Sequence, residues 1–179
     1  AILFSSNRES NSTRYNKIFK IGLQGGFPEA LPMPSATQVS YSPDGNSVAY
    51  LPNRDPFEID GPTYRPFKHY RGGNVGRVWV MNLKNYEIEE IPSANANNTQ
   101  PKWQGNKIYF LSDRNKTNNI FEFDPNSKQI SQLTKHTDYD VKGINVFGDE
   151  IIYEQAGKLH IFNTASKQTK TLKIKLNPD

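Results

Sequence analysis

Four short segments repeat one pattern along the chain, an apolar residue, a variable one and an aromatic: Ile2-Leu3-Phe4-Ser5, Val48-Ala49-Tyr50-Leu51, Ile108-Tyr109-Phe110-Leu111 and Ile151-Ile152-Tyr153-Glu154. Three run on into similar polar turns, Ser6-Asn7-Arg8, Pro52-Asn53-Arg54 and Ser112-Asp113-Arg114, and the fourth has Gln155-Ala156-Gly157 instead. A second strand-like segment follows each: Ile18 to Ile21, Val78 to Met81, Ile120 to Phe123 and Leu159 to Phe162. These end in turns at Gln24-Gly25-Gly26, Leu83-Lys84-Asn85, Asp124 to Ser127 and Thr164-Ala165-Ser166, after which a more polar strand is expected, as in 129–133 and 169–172. Three units also carry a strand in front, over 37–41, 100–103 and 143–147, leading into Pro43-Asp44-Gly45, Gly105-Asn106 and Gly148-Asp149. Such dyads suit tight hairpins because Gly, Asn and Asp tolerate positive φ.

The spacings between copies are 46, 60 and 43 residues. A four-stranded antiparallel unit of roughly 40–45 residues is the signature of a β-propeller blade. One blade has two apolar faces and cannot cover both alone, so blades stack around an axis. The expected fold is therefore all-β, a partial propeller over 1–179 with about four blades at 1–34, 35–92, 93–134 and 135–176. The first unit starts on its second strand, and the last ends on an outer strand over 170–176. Propellers close with about four to eight blades, so these units are read as part of a larger ring. Its unpaired edges are expected to recruit another chain, a homo-oligomer being one outcome.

The 21 aromatics (10 Phe, 9 Tyr, 2 Trp) and the many Asn, Gly and Pro favour short strands and turns. There is no apolar run long enough to span a membrane and no signal peptide is visible. A chain that opens on Ala1-Ile2-Leu3-Phe4 without Met reads as a processed or excised piece. Cysteine is absent, which excludes disulfides and thiolate metal sites. A soluble protein of cytoplasm or periplasm is expected. The net charge of +4 balances 22 basic against 18 acidic residues, which argues against a nucleic-acid binder.

The segment Tyr70-Arg71-Gly72-Gly73 before Val78-Trp79-Val80 resembles the tricorn protease family, as do 108–114, Leu133 to Asp140 and Tyr153 to Gly157. The resemblance covers essentially the whole chain in order. It implies the latter part of a first, six-bladed propeller of WD40-like, TolB-type repeats. It also implies a parent serine peptidase whose nucleophile, histidine and acidic partners lie in later regions. No segment here matches those regions, so no catalytic residue is carried over.

The segment FKHYRGGNVGRVWV, 67–80, is the most charged candidate site. A phosphate cradle would need a glycine loop opening a helix, whereas these glycines enter an alternating strand. Arg65, Lys68, His69, Arg71 and Arg77 alternate with Tyr64, Phe67 and Tyr70 as a single-strand nucleic-acid platform would, but Asp55, Glu58 and Asp60 just upstream dilute the field. What remains is a long loop, because the 60-residue step places its excess between Leu51 and Val78. Long loops inside compact repeats are functional or mobile. Two readings stay open: Arg65, Lys68, His69, Tyr70, Arg71 and Arg77 contact peptides with acidic ends, or Arg71 and Arg77 brace the insertion against its own backbone.

His136-Thr137-Asp138-Tyr139-Asp140 offers metal-ligand types, but they are crowded and no second histidine is near in sequence. A loop in which Asp138 or Asp140 accepts main-chain N–H groups is the expectation. Glu89 and Glu90 are expected to face water, and Tyr50, Phe110 and Tyr153 to pack in the core with Trp79 and Trp103 between blades. No Gly-x-Ser-x-Gly elbow is present. The readable inner strands offer Gln38, Lys102, Trp103 and Asn145, too few acids or histidines for a pore enzyme. The expected function is a non-catalytic propeller segment of a tricorn-like peptidase. It scaffolds the protease, gates or guides peptides, needs no metal or cofactor, and partners peptides and the parent's remaining domains. The alternative is a stand-alone TolB-like module that binds a protein partner.

Overall fold

The computed structural model describes residues 1–10, 15–52, 69–72 and 75–175. Within them every regular element is a strand. The first sheet holds β1 (Ile2–Ser6), β2 (Lys17–Gly22) and β3 (Gly25–Ala30). The second holds β4 (Gln38–Tyr41), β5 (Ser47–Leu51), β6 (Trp79–Asn82) and β7 (Ile88–Glu90). The third holds β8 (Asn98–Gln104), β9 (Lys107–Ser112), β10 (Asn119–Phe123) and β11 (Ile130–Gln132). The fourth holds β12 (Val141–Phe147), β13 (Glu150–Gln155), β14 (Lys158–Asn163) and β15 (Thr169–Thr171). Every neighbour pair is antiparallel, and strand order follows chain order within each sheet. These are propeller blades.

The recurrent apolar segments become β1, β5, β9 and β13, and their alternation faces successive residues to opposite sides. Val48 and Tyr50 join Ile18, Met33, Ala36 and Met81 in a core between the first two sheets. Ala49, one register step away, joins Val78, Ile91, Ile108, Phe110 and Phe121 between the second and third. Tyr109 and Leu111 turn the other way and meet Val141, Ile144, Ile151 and Tyr153 between the third and fourth. Each recurrent strand in the second and third sheets thus feeds two cores. Tyr50, Phe110 and Tyr153 are all 2% exposed or less, as the repeat implies. Full burial of one such side chain contributes about 1.5–3 kcal/mol. Trp79 meets the Tyr50 ring edge-on at 6.1 Å, and Trp103 packs against the second core.

Hairpin chemistry sets the register. Gly105 and Gly148 hold φ of 57° and 56° in two-residue turns, where a Cβ would add strain. The Asp44 carboxylate accepts from the Ser42 hydroxyl and from Asn46. These bonds, Ser42 first, hold its pKa down to about 2. Three boundaries differ from the sequence expectation. The first β2–β3 turn sits at Leu23-Gln24, with Gly25 and Gly26 already in β3. The outer strands β11 and β15 have three residues each, shorter than the runs expected over 129–133 and 169–172, and β15 stops short of the expected 176. Outer strands pair on one side only, so there is little to extend them once alternation fades.

Candidate functional site

The basic segment divides at the edge of the described residues. Arg65 and Lys68 lie outside them, while His69, Tyr70, Arg71 and Arg77 lie within. Arg71 reaches the turn after β9, its Nη1 donating to Asp113 Oδ2 at 2.8 Å and to the Tyr70 carbonyl at 3.0 Å. Asn97, just ahead of β8, completes the junction. Its Nδ2 donates to the Tyr70 carbonyl and to Asp113 Oδ2, both at 3.0 Å. Its main-chain N–H gives 2.8 Å to Asp113 Oδ1, and its Oδ1 accepts from Gly76 N at 3.0 Å. Gly76 is needed for this approach, since a Cβ there would stand 2.8 Å from Thr99 Cγ2 and 2.9 Å from the Asn98 carbonyl. Burial alone would raise the Asp113 carboxyl, but the Arg71 and Asn97 bonds outweigh it and hold it below the usual carboxylate range. The junction ties the segment before β6 to the third sheet rather than to its own loop backbone alone.

Arg77 turns to β7, with Nη1 2.9 Å from Glu90 Oε1 and 3.3 Å from Oε2. Glu89 pairs with Lys128 of the third sheet. The two glutamates expected to face water do so, Glu89 exposed and Glu90 in part, and each also holds an ion pair because β7 lies alongside the cations of its neighbours. His69 is exposed with φ of 61°, and Tyr70 is half-buried.

The loop over 133–140 is an interblade junction, as its aspartates suggested. Asp140 Oδ1 accepts from Asn118 N at 2.8 Å, and Asp138 Oδ1 from Tyr139 N at 2.9 Å. The buried Asn119 holds the loop through Thr134 Oγ1, His136 N and the His136 carbonyl. His136 Nε2 lies 3.1 Å from the Tyr153 hydroxyl, and Tyr153 stacks on His160 with centroids 5.0 Å apart. Burial, then the neighbouring His160, push the His136 pKa down. The fold thus unites two histidines that the sequence keeps 24 residues apart. Among the described residues no group of three or more His, Cys, Asp or Glu could hold a metal ion.

The inner strands are laced to one another by side chains. Gln38 Oε1 accepts from Gln100 N at 2.7 Å, Ser40 Oγ from Trp103 N at 2.7 Å, and Gln100 Oε1 from Ile144 N at 3.1 Å. Gln100 Nε2 donates to the Lys142 carbonyl at 2.8 Å. Gln100 sits in the β8 bulge with φ of 54°, which frees its amide and turns its side chain toward the next sheet. Beside this lacing runs a groove of about 450 Å³, walled by β1, β4, β8 and β12 and lined by Ser5, Thr37, Gln38, Gln100, Lys102 and Gly143 among others. The sequence had named Gln38 and Lys102 as inner-strand residues. It had not found Asn97, whose Asn-rich surroundings gave no signal, or Asp113, whose only mark was an acid in a recurrent polar turn.

A family model described as the tricorn protease N-terminal beta propeller domain matches residues 1–168. A tricorn protease homolog of Saccharolobus solfataricus is 24% identical over 170 residues, covering 93% of this chain and 15% of its own length. The tricorn protease of Thermoplasma acidophilum is 27% identical over 139 residues, 78% of this chain and 12% of that one. The chain thus spans about a seventh of the length of such relatives. A crystal structure of the tricorn protease superposes with a TM-score of 0.79 at 20% identity, over 99% of this chain and 16% of the other. A putative TolB from Agrobacterium tumefaciens gives 0.69 at 16% identity, over 93% and 58%. At such identities the structural likeness speaks for the fold alone.

Proposed function

The chain belongs to the tricorn protease N-terminal β-propeller family, and from that premise we propose that it is a non-catalytic stretch of propeller in a larger serine peptidase, scaffolding the enzyme and guiding peptides along its axis. The observation that carries this reading is the groove lined by the inner strands β4, β8 and β12. An extended peptide can run there beside hydrogen-bonding side chains without meeting a nucleophile–base pair.

The blades, over 1–34, 35–92, 93–134 and 135–176, are consecutive members of a six-bladed ring. One observation supports a ring that continues beyond them. Ile152 and Phe147 of the fourth sheet are 39% and 89% exposed. In the first sheet, Phe4 stacks on Phe19 with the Arg8 guanidinium over both rings. The same sandwich recurs as Phe110, Phe121 and Arg114, where the second sheet covers it and Arg114 Nη2 donates to the Pro92 carbonyl. At the propeller face, Arg71 and Arg77 secure the insertion while Arg65, Lys68, His69 and Tyr70 meet acidic peptide ends.

The test is to obstruct the axis in the parent peptidase. Gly143 lines the groove, and a Cβ there would meet nothing within 4 Å, so Gly143→Cys can be labelled with a bulky maleimide. The expected result is a fall in peptide turnover of about tenfold, equivalent to ~1.4 kcal/mol, with melting unchanged. Unaltered turnover by the fully labelled enzyme overturns the guiding role.

A further inference from the structure

The positive excess of the chain is confined to one hairpin and the segment after it. Residues 1–157 carry 17 basic and 17 acidic side chains, whereas 158–175 carry Lys158, Lys167, Lys170, Lys173 and Lys175 and no acid. This stretch comprises β14, its turn, β15 and the residues that follow. All five lysines are exposed, and none has an acidic partner among the described residues. The equivalent hairpins are mixed. The β2–β3 hairpin holds Glu29 against Lys17 and Lys20, β6–β7 holds Glu87, Glu89 and Glu90 against Lys84, and β10–β11 holds Glu122 and Asp124 against Lys128. Register sharpens the imbalance. Thr171 lies opposite His160, and Leu172 N donates to the Leu159 carbonyl at 2.8 Å, so the next step sets Lys173 beside Lys158. Like charges facing one another across a ladder are destabilising. The edge is also open. Amides alternate in direction along an antiparallel strand. With Leu172 N turned to β14, the N–H groups of Thr169, Thr171 and Lys173 point away from it, and no strand among the described residues lies on that side.

We propose that the outer edge of β15 is a docking site for an acidic polypeptide segment, which adds to the fourth sheet as a fifth strand. Its carbonyls accept from Thr169 N and Thr171 N, and its carboxylates pair with Lys170, Lys173 and Lys175. Strand addition takes its affinity from main-chain bonds and its specificity from side chains. The lysines set that specificity: they repel another edge of their own kind and attract a strand that carries Asp or Glu. Blades stack face to face, so the outermost strand of a sheet keeps its edge accessible at the rim whatever the number of blades. Nucleic acid is a poorer match. Lysine is a point charge without the two-pronged fit of arginine to phosphate. The rings of the hairpin, His160 and Phe162, are buried, which leaves no stacking platform toward solvent. The inference is independent of what passes along the axis.

The test titrates the full chain with an acetylated and amidated Glu-Val-Glu-Glu-Val-Glu peptide, its counterpart with Gln for every Glu, decathymidylate, and vesicles of equal phosphatidylserine and phosphatidylcholine. Affinity is read from amide chemical shifts over 158–175, and strand addition from hydrogen exchange at Thr169 and Thr171. The acidic peptide should bind about tenfold or more tighter than the Gln peptide, as three exposed ion pairs together allow. Exchange at both threonine amides should slow on binding, and the preference should fade in 1 M salt. Lys170→Gln, Lys173→Gln and Lys175→Gln together should abolish the preference, with far-ultraviolet dichroism establishing that the variant is folded. The comparison of Glu with Gln peptide on the unmodified chain needs no variant. Equal binding of the two peptides, no binding of either, or a preference that survives the triple variant overturns the site. Shifts without slowed exchange at Thr169 and Thr171 overturn strand addition. Tighter binding of decathymidylate or of the vesicles at the same amides overturns the polypeptide partner.

Discussion

The seam between the second and third sheets and the seam between the third and fourth have similar apolar cores and opposite polar closures. The first is closed by charge. Arg71 pairs with Asp113, Lys128 with Glu89, and Arg114 caps the Pro92 carbonyl. The second is closed largely by neutral groups: Asn119 inside the 133–140 loop, His136 against Tyr153, and Gln100 across to β12. Packing blades face to face satisfies the apolar surface in the same way each time. The polar groups at the rim are set by whichever loop lies there, and the segment before β6 brings Arg71 to the first of these seams.

The shared apolar part of the two seams carries the largest effect. Phe110→Ala and Tyr153→Ala remove equivalent rings from the two cores, and each should cost about 4 kcal/mol by denaturant unfolding. A cost at one position less than half that at the other would show that the cores are not equivalent. Asn119→Ala comes next, at ~3 kcal/mol, because it strands buried partners in the neutral seam. Its cost should be the same in low and high salt.

Asp113→Asn should cost less, about 1–2 kcal/mol, since the Arg71 side chain is 31% exposed and solvent screens the pair. That cost should shrink in 1 M salt. A salt-independent loss would mean that shape, not charge, closes this seam.

The smallest effect separates the seams by pH. His136 has a folded-state pKa below its ordinary 6.5, so folding favours the neutral ring. The stability it contributes is present above pH 6.5 and declines as pH falls from there toward the folded value. Asp113 is also lowered, from 3.8, but its stabilisation is intact until pH falls below that ordinary value, and is lost as the carboxylate takes up its proton. Between pH 8 and 5.5 hydrogen-exchange protection should drop at Val141 and hold at Gly76. His136→Gln should abolish that drop. Matching loss at both amides would merge the two seams into one cooperative unit.

The blade grammar could be read from residue order because it is local. Alternation, a recurring aromatic and turn-forming dyads each act within a few residues, so the strands, their hairpins and the core roles of Tyr50, Phe110 and Tyr153 were legible. So were Asp138 and Asp140 as acceptors in a turn. Outer strands were less legible, since a strand paired on one side has no burial pattern to mark its end. Asn97 was unreadable because its role lies in bonds to Tyr70, Gly76 and Asp113, far from it along the chain. Glu89 and Glu90 face water as the polar strand implies, but their ion pairs were not legible because the partners lie outside β7. By itself, then, the order of amino acids determined repeated sheets with two apolar faces, since side-chain direction in a strand has a fixed period of two. Only the tertiary structure decided which charges meet and which histidines share a seam, because those contacts depend on how one sheet is set against the next.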